Sequence, residues 1–478
     1  MRGAIVALSI VLALPGAIGA AEPPACTCAA AFDQAVAGIE ESYAGFPIKV
    51  DARRREPYDR FKAILKADAA GAGPDRCKEV LDTYAAFFQD HHVFILRNSK
   101  AGGPAGTAAR PWTEAEVRAE IDRNRERLDP LEGLWYGRDG RYGVLHEPGT
   151  PAGTFVAVHL DAGGKPASDL AAVLHREARG GYQATWRDGQ GQWQNTEASL
   201  HRGGALLVFG IRTWGRLAPA APAVRLNSAD PQAPLFARLD AGTLYLSLPS
   251  FLGDYRQPLA DIIKAYGDEI AKAQGLVIDL RGNVGGDAIY FDLAPYMLTG
   301  PIEFIEDNLI LASPRNLHIL EKFREPLGEK GAIFDPALRR MRENPGKLVP
   351  YLDAQTDGPD VFEPGPRRVV LLVDRAVGSA AEAMVLMARQ SPRVIVVGEN
   401  TRGNIDYEQV TMDNVGCGDY TYYEGIPLYT RTRHLPEGAL DVVGITPDVP
   451  VPDDLVDPLT FAVRLLAAGE TPAAGKQP

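Results

Sequence analysis

The sequence lacks an excess of positive charge, a long apolar run beyond its first residues, and any repeated or low-complexity tract. Lys and Arg number 50 against 62 Asp and Glu, so the formal net charge is −12. Such a chain gains little from counterion release, which argues against nucleic acid or an anionic membrane as its main partner. After the N-terminus no segment approaches the roughly 18 apolar residues of a membrane span. With 478 residues and an ordinary globular composition, two or three domains are expected.

The first residues have the pattern of a secretory signal peptide. Arg2 supplies a positive start, residues 4–14 are apolar, a Pro-Gly pair breaks the run, and small residues follow at 17–21. The run is too short for a stable membrane span, although a membrane anchor is the alternative. We therefore expect residues 1–21 to be removed and the mature protein to be exported without an anchor, to the periplasm or the extracellular space.

The four cysteines fit an exported protein, because export permits disulfides. Either Cys26 or Cys28 could bridge to Cys77 and tie the mature N-terminus to a helix. The C-x-C spacing of the first two could also suggest a metal site. No neighbouring His or Cys pair completes one, so no metal site is predicted.

Changes of pattern divide the rest of the chain. Residues 22–128 are predicted to form a helical region, because apolar side chains recur at helical spacing from 29 to about 94 and a mostly polar helix is expected at 113–128. Residues 129–216 carry short strand-like segments between turns, which is typical of a small β-barrel or sandwich. A Pro/Ala-rich linker at 217–235 leads to residues 236–465, where apolar strands alternate with helices and predict an α/β sheet covered on both faces. Residues 466–478 are expected to form a disordered tail.

Ser379 follows a predicted buried strand, residues 368–373, and stands where a helix begins. A hydroxyl at such a junction lies at the positive end of the helix dipole, and the backbone N–H groups there can help to hold an oxyanion. The same S-A-A-E sequence fits a helix cap, in which Glu382 completes a capping box with Ser379. Taken alone, the segment predicts either a nucleophile or a cap.

A glycine-rich loop follows the predicted strand 276–280, in the sequence D-L-R-G-N-V-G-G. Glycines allow close backbone approach, so Gly285 and Gly286 could present N–H groups to an oxyanion. A tight strand–helix turn is the alternative. A phosphate cradle would need G-x-x-x-x-G-K-[ST] or G-x-G-x-x-G, and neither is present.

The segment Q-D-H-H offers His91 and His92 as candidates for a general base. Adjacent histidines are otherwise a solvated surface or a cap. They cannot share one helical face, and H-E-x-x-H is absent, so metal binding is not expected. Either Asp441 or Asp448 could orient an imidazole, and Asp441 is preferred because Pro447 and Asp448 are typical of a turn.

The order of these motifs resembles the C-terminal-processing, or tail-specific, peptidase family, which includes the tricorn protease core and interphotoreceptor retinoid-binding protein. D-L-R-x-N-x-G-G is followed by a strand ending in S-A-A-E, then by G-E and by G-I-x-P-D. The resemblance covers about residues 28–98 and 236–455. It implies an α/β catalytic core of crotonase- and ClpP-like fold.

The resemblance also assigns roles to the motifs. It implies Ser379 as the nucleophile, with oxyanion binding by the N–H groups of Gly285, Gly286 or Ala380. One style within the family uses a lysine in a later G-K-G-x-V-Q segment, but no lysine occurs between Ser379 and Lys476.

The tricorn-like style uses the histidine of a D-x-H segment, which implies His92 as the base. It also uses a carboxylate three residues before the terminal glycine. Family members usually have glutamate there, and this chain has the shorter Asp441.

The central β-rich region departs from relatives that carry a PDZ domain, because the carboxylate-binding G-L-G-F-type loop is missing. Its opening D-P-L-E-G-L-W looks like the small β-barrel insert of some bacterial members. Both a spacer and a substrate-binding module are open.

The predicted function is that of an exported serine peptidase, cleaving peptides or unfolded proteins by acyl transfer without a cofactor. His92 would take the proton of Ser379, and Asp441 would orient the imidazole. A non-catalytic peptide- or ligand-binding protein on the same fold is the main alternative. A crotonase-like acyl-CoA enzyme is less favoured, because no basic signature for the cofactor's phosphates is seen.

Overall fold

The computed structural model describes most of the chain from Thr27 onward. The predicted signal peptide and Cys26 lie outside the described residues, as do residues 469–478 of the predicted tail. Within these limits no helix is long and apolar enough to cross a bilayer. The described residues are 27–98, 111–146, 149–160, 170–178, 180–188, 191, 193–220, 225–305, 308–352, 355–357, 365–429, 439–451 and 457–468.

Helices dominate the N-terminal region, and each buries one side against a shared apolar core. They are α1 (Cys28–Ser42), α2 (Phe46–Lys49), α3 (Arg55–Ala69) and α4 (Pro74–Ala86), followed by a short strand, β1 (Phe94–Arg97). The hydroxyl of Thr27 accepts the N–H of Ala30 and caps α1. A disulfide joins Cys28 to Cys77, so Cys28 rather than Cys26 is the partner of Cys77 and α1 is tied to α4. Cys417 is also disulfide-bonded.

A closed antiparallel β-barrel of eight strands lies between the helical region and the α/β domain in sequence. It is preceded by α5 (Glu114–Asn124), which Thr113 and Glu116 begin with a capping box. The strands are β2 (Gly133–Gly137), β3 (Gly140–His146), β4 (Thr154–His159), β5 (Leu170–Arg176), β6 (Tyr182–Arg187), β7 (Trp193–His201), β8 (Leu206–Phe209) and β9 (Arg212–Ala218).

The barrel is a separate β-unit, as predicted, because none of its strands pairs with the α/β sheet among the described residues. Each strand pairs with the next, and β9 closes the barrel on β2. Aromatic side chains fill the interior, including Trp135 and a stacked pair of Tyr142 and Trp214. The last strand reaches Ala218, two residues beyond the expected edge at 216.

The remaining chain forms the α/β domain. Its strands are β10 (Leu235–Arg238), β11 (Thr243–Ser247), β12 (Gly275–Asp279), β13 (Ile302–Ile305), β14 (Asn308–Leu311), β15 (Leu348–Pro350), β16 (Gln355–Asp357), β17 (Arg368–Val373), β18 (Val394–Gly398), β19 (Val410–Val415), β20 (Tyr420–Gly425), β21 (Pro427–Tyr429) and β22 (Val449–Pro450). Its helices are α6 (Arg256–Lys272), α7 (Ala294–Met297), α8 (Pro314–Arg324), α9 (Asp335–Glu343), α10 (Ala380–Ala388) and α11 (Pro458–Ala468).

A six-stranded sheet in the order β10-β11-β12-β17-β18-β22 forms the centre of this domain. The pairs from β11 to β22 are parallel, and β10 is an antiparallel edge. Alternate residues of β17 pack on opposite faces. Leu371 joins the core that includes residues of α10, and Leu372 joins the one under α11. The predicted α/β sheet covered on both faces is therefore confirmed, but α11 extends to Ala468, so residues 466–468 are helical rather than tail.

Two contacts position the functional loops. Strands β12 and β17 are neighbours, so the loops that follow them meet at the carboxyl edge of the sheet. Strand β1 pairs with β20, and the helical region shares its core with Tyr407 and Tyr422 of the α/β domain. The segment between α4 and β1, which contains His92, is thereby fixed against the α/β domain.

Candidate active site

Ser379 occupies a strained turn between β17 and α10. Its φ of 52° and ψ of −123° lie in a region that glycine adopts easily and other residues avoid. A non-glycine residue held in such a region costs on the order of 1–3 kcal/mol. An ordinary N-cap residue has extended backbone angles instead. The conformation is that of a sharp strand-to-helix turn, which in hydrolases exposes a nucleophilic serine.

Glu382 is fully buried and joins the turn at residues 374–379 to the loop beside it. One carboxylate oxygen accepts the N–H groups of Ser379 (3.1 Å) and Asn404 (2.9 Å). The other accepts the N–H of Gly403 (2.8 Å) and the hydroxyl of Thr401 (2.5 Å). Burial raises the pKa of Glu382, and these hydrogen bonds oppose the rise. The sequence indicated only a capping partner, whereas the structure shows a residue that also fixes a second loop.

Asn404 connects the turn at Ser379 to the N-terminal region. Its Oδ1 accepts the N–H of Ser379 (2.9 Å), and its Nδ2 lies 3.5 Å from Nε2 of His92, 312 positions away in the sequence. Asn404 was not predicted as a site residue. An asparagine in a loop carries no chemical signal until its neighbours in space are known.

His92 is enclosed by the protein, whereas its neighbour His91 is exposed. Burial lowers the pKa of His92, the carboxylate of Asp90 opposes this, and Arg402 and His91 add to the lowering. An unperturbed histidine has a pKa near 6.5. The imidazole of His92 is therefore neutral at pH 7 and able to accept a proton.

Asp90 lies within ion-pair distance of His92. The separation between its Oδ1 and Nδ1 of the imidazole is 4.0 Å. The same carboxylate accepts the backbone N–H of His92 (2.7 Å) and the hydroxyl of Tyr43 (2.7 Å). Asp90 thus fixes the backbone of the D-x-H segment, and its charge acts on the ring without a hydrogen bond to it.

Asp441 lies in the same region but does not bond to His92. Its Oδ1 accepts the N–H groups of Ile405 and Asp406, both at 3.0 Å. Among the described residues its Oδ2 has no hydrogen-bond partner, and neither has Nδ1 of His92. The expected contact between Asp441 and the imidazole is therefore not formed. One oxygen of Asp441 is bound to the backbone at residues 405–406 instead.

The carboxyl group of Asp441 is held neutral in this arrangement. Burial raises its pKa to about 8, the nearby carboxylates of Asp90 and Asp406 add to the rise, and a backbone N–H and Lys49 oppose it. At neutral pH the group is mostly protonated. It can become an anion at little cost only when a positive charge appears beside it.

The glycine-rich loop that contains Gly285 and Gly286 lies directly against the turn at Ser379. A Cβ at Gly285 would be 2.8 Å from Cβ of Ser379 and 3.0 Å from N of Ala380, so no larger residue fits. However, the N–H of Gly285 is donated to Oδ1 of Asn283 (2.9 Å), so this predicted oxyanion donor is occupied. In the described part of the chain the N–H groups of Gly286 and Ala380 have no acceptor. These two remain available for an anionic oxygen.

Residues 324–451 match the model of Peptidase family S41. This segment contains Ser379, Glu382, Asn404 and Asp441, and it excludes His92 and the glycine loop. No curated protein matches the chain in sequence.

Solved structures match the chain at low sequence identity. A mutant of CPAF has a TM-score of 0.50 and 11% identity, over 94% of this chain and 99% of that one. The photosystem II D1 C-terminal processing protease has a TM-score of 0.39 and 14% identity, over 94% and 98% of the two chains. The tricorn protease has a TM-score of 0.41 and 10% identity, over 93% of this chain and 35% of that one. The CPAF likeness supports a common fold, and the identities support nothing finer.

The family match lies on the segment that holds the strained serine and Glu382, so the resemblance of the motifs to the C-terminal-processing peptidase family is confirmed for residues 324–451, which are similar to Peptidase family S41.

Proposed function

We propose that the protein is an exported serine peptidase in which Ser379 is the nucleophile and His92 the general base. The observation that carries this is the strained turn at Ser379, whose N–H is linked through Asn404 to Nε2 of His92. A residue that only caps a helix does not need strained backbone angles. A neutral, buried imidazole beside it has the protonation state that a base needs.

The oxyanion of the tetrahedral intermediate is assigned to the N–H groups of Gly286 and Ala380. Neither group has a protein acceptor in the described structure, and both lie beside Ser379. Ala380 is also the first residue of α10, where the helix dipole favours negative charge. One such donor is worth about 10²–10³-fold in kcat.

Asp441 is assigned as the carboxylate partner of His92 during the reaction. Among the residues that the structure describes, neither its Oδ2 nor Nδ1 of His92 has a hydrogen-bond partner, and the charge of Asp90 acts on both groups. Each unsatisfied buried group costs about 1–3 kcal/mol, so a hydrogen bond between them would relieve both. When His92 becomes an imidazolium, its positive charge would lower the pKa of Asp441, the carboxyl group would release its proton to solvent, and the resulting carboxylate would pair with the imidazolium.

The substrate class follows from the family, whose members act on peptides or proteins. Because the site is reached by a carbonyl that must approach Ser379 between two loops, an unfolded or C-terminal segment is the proposed substrate. Export rests on the N-terminal sequence pattern and on the disulfide between Cys28 and Cys77, which persists only in an oxidising compartment.

The test is labelling with a fluorophosphonate, followed by peptide mapping, together with hydrolysis of an unfolded protein. Ser379 should carry the label, and Ser379→Ala should lose at least about 10³-fold in kcat/KM while keeping the circular dichroism of the wild type. Ser391→Ala, a buried serine elsewhere in the domain, is the matched control and should keep its activity. Full activity in Ser379→Ala would show that the nucleophile is another residue. A folded wild type that binds peptide but neither hydrolyses it nor takes the label would favour the binding-protein alternative.

The base and the acid are tested by paired variants. His92→Ala should abolish hydrolysis and His91→Ala should largely spare it, since it is Nε2 of His92 that lies 3.5 Å from Nδ2 of Asn404, the residue bonded to Ser379. Asp441→Asn should lower kcat more than Asp90→Asn does. The reverse order would make Asp90 the carboxylate that supports the imidazole.

A further inference from the structure

The barrel reaches into the α/β domain at the end of β7. Nδ1 of His201 lies 2.7 Å from Oδ2 of Asp374, and its Nε2 lies 2.7 Å from the hydroxyl oxygen of Ser199. The side chains of His201 and Asp374 are 8% and 3% exposed, so this contact is shielded from solvent. Asp374 directly follows β17 and begins the turn that ends in Ser379. A barrel residue is therefore hydrogen-bonded to the base of the nucleophile turn.

Asp374 in turn holds both loops of the site. Its Oδ1 accepts the N–H of Gly282 (3.1 Å) in the glycine loop and that of Ala376 (3.0 Å) in the nucleophile turn. Burial acts to raise the pKa of Asp374, but His201 and the Gly282 N–H outweigh it and the pKa lies below its usual value. An ionised carboxylate only accepts hydrogen bonds, so Nδ1 of His201 donates to Asp374.

Arg202, the next residue, is completely buried in the α/β domain. Its guanidinium donates to the carbonyl oxygens of Arg281 (3.0 Å) and Asp279 (3.1 Å), at the start of the glycine loop. Burial acts to raise the pKa of Asp279, but Arg202 and Arg281 outweigh it and lower it to about 2. Gly282 packs so closely on the barrel that an added Cβ would lie 2.3 Å from Cδ2 of Leu206.

The two loops are themselves joined, because the N–H of Gly378 donates to the carbonyl of Asn283 (3.1 Å). A shift of Asp374 or of the glycine loop is therefore passed to Ser379 and to the N–H of Gly286. We infer that His201 and Arg202 make the inserted barrel part of the active site, as positioning residues that set the distance between the nucleophile turn and the oxyanion donors. This rests on the proposed function of Ser379.

The experiment compares His201→Phe with His201→Asn. Phenylalanine keeps the ring but removes both hydrogen bonds, whereas asparagine can place an N–H donor near the position of Nδ1. His159→Phe is the matched control, because this barrel histidine bonds to the carbonyl of the barrel's own Asp139. Activity is expressed per active site, titrated with a fluorophosphonate, so that unfolded protein is not counted. The rate of labelling at Ser379 is measured as well.

His201→Phe should lower kcat and the labelling rate of Ser379 by about 10–100-fold, because reacting groups misplaced by up to about 1 Å lose rate on this order. KM should stay within about twofold of the wild-type value. His201→Asn should recover most of the rate, and His159→Phe should leave it unchanged. A His201→Phe enzyme that melts earlier but keeps kcat per titrated site would reduce the contact to a structural one and overturn the inference. Label on Ser199 would overturn it too, because the Ser199–His201–Asp374 relay would then be a reactive site itself. If the wild type takes no label at Ser379, the proposed function fails first and the inference fails with it.

Discussion

Replacing Ser379 with glycine separates the strain of the nucleophile turn from the chemistry of the hydroxyl. The φ of 52° and ψ of −123° cost a residue with a Cβ about 1–3 kcal/mol, and glycine escapes most of this cost. Glycine loses about 0.5–1 kcal/mol through the larger entropy of the unfolded chain. The difference predicts that Ser379→Gly is more stable than Ser379→Ala by about 1 kcal/mol, because alanine keeps the Cβ and both variants lack the hydroxyl.

The assay is differential scanning calorimetry of the two variants at one pH. A stability difference of about 1 kcal/mol corresponds to roughly 2–4 °C in Tm for a domain of about 150–250 residues. Ala383→Gly is the control, since this residue lies inside α10 with helical angles and should lose about 1 kcal/mol. If Ser379→Gly melts below Ser379→Ala by as much as Ala383→Gly melts below the wild type, the turn stores no strain, and the main argument for Ser379 as nucleophile is lost.

Two further predictions concern pH and the disulfide. Because burial depresses the pKa of His92, the low-pH limb of kcat/KM should have its midpoint below about 6.5. The unfolded chain binds the proton more readily, so the stability of the folded state should also fall as the pH drops below about 6.5. A limb with its midpoint above about 7 would contradict the buried neutral imidazole. Removing the Cys28–Cys77 bridge, which closes a sequence separation of 49, should destabilise the helical region by roughly 4 kcal/mol. The double variant Cys28→Ala/Cys77→Ala should therefore have a lower Tm, and its activity should be reduced because His92 follows α4. An unchanged Tm would show that the bridge adds no constraint.

Local pattern was enough to predict much of the α/β domain. The run Arg368–Val373 was predicted as a strand and is β17, because an unbroken series of Val and Leu suits a strand that is buried on both faces. The helix after Ser379 and the strand at Val394 follow from the same alternation. The barrel was predicted as a β-unit from short strands and turns, whereas its closure depends on the pairing of the last strand, β9, with the first, β2.

Contacts between distant segments could not be predicted in this way. Nothing near His201 in the sequence indicates that it meets Asp374, 173 positions away, or that Arg202 enters the α/β domain. The occupied N–H of Gly285 depends on the side-chain rotamer of Asn283, which a glycine motif does not reveal. The four residues of β1 lie in the region predicted as helical. They form a strand only by pairing with β20, which the local sequence does not indicate.

The unfavourable features of the molecule are concentrated on the residues to which we assign chemistry. Ser379 has strained backbone angles, Nδ1 of His92 is buried without a hydrogen-bond partner in the described part of the chain, and Asp441 carries a raised pKa. Each of these lowers the stability of the folded state, and none is needed to build the sheet or the barrel. The neighbouring groups Glu382 and Asp374 are instead fully hydrogen-bonded and hold the backbone around them. Destabilising features persist only where the surrounding structure over-determines them. Here strained residues are held by well-bonded neighbours. A site adapted to catalysis requires this arrangement, whereas ligand binding on a rigid surface does not.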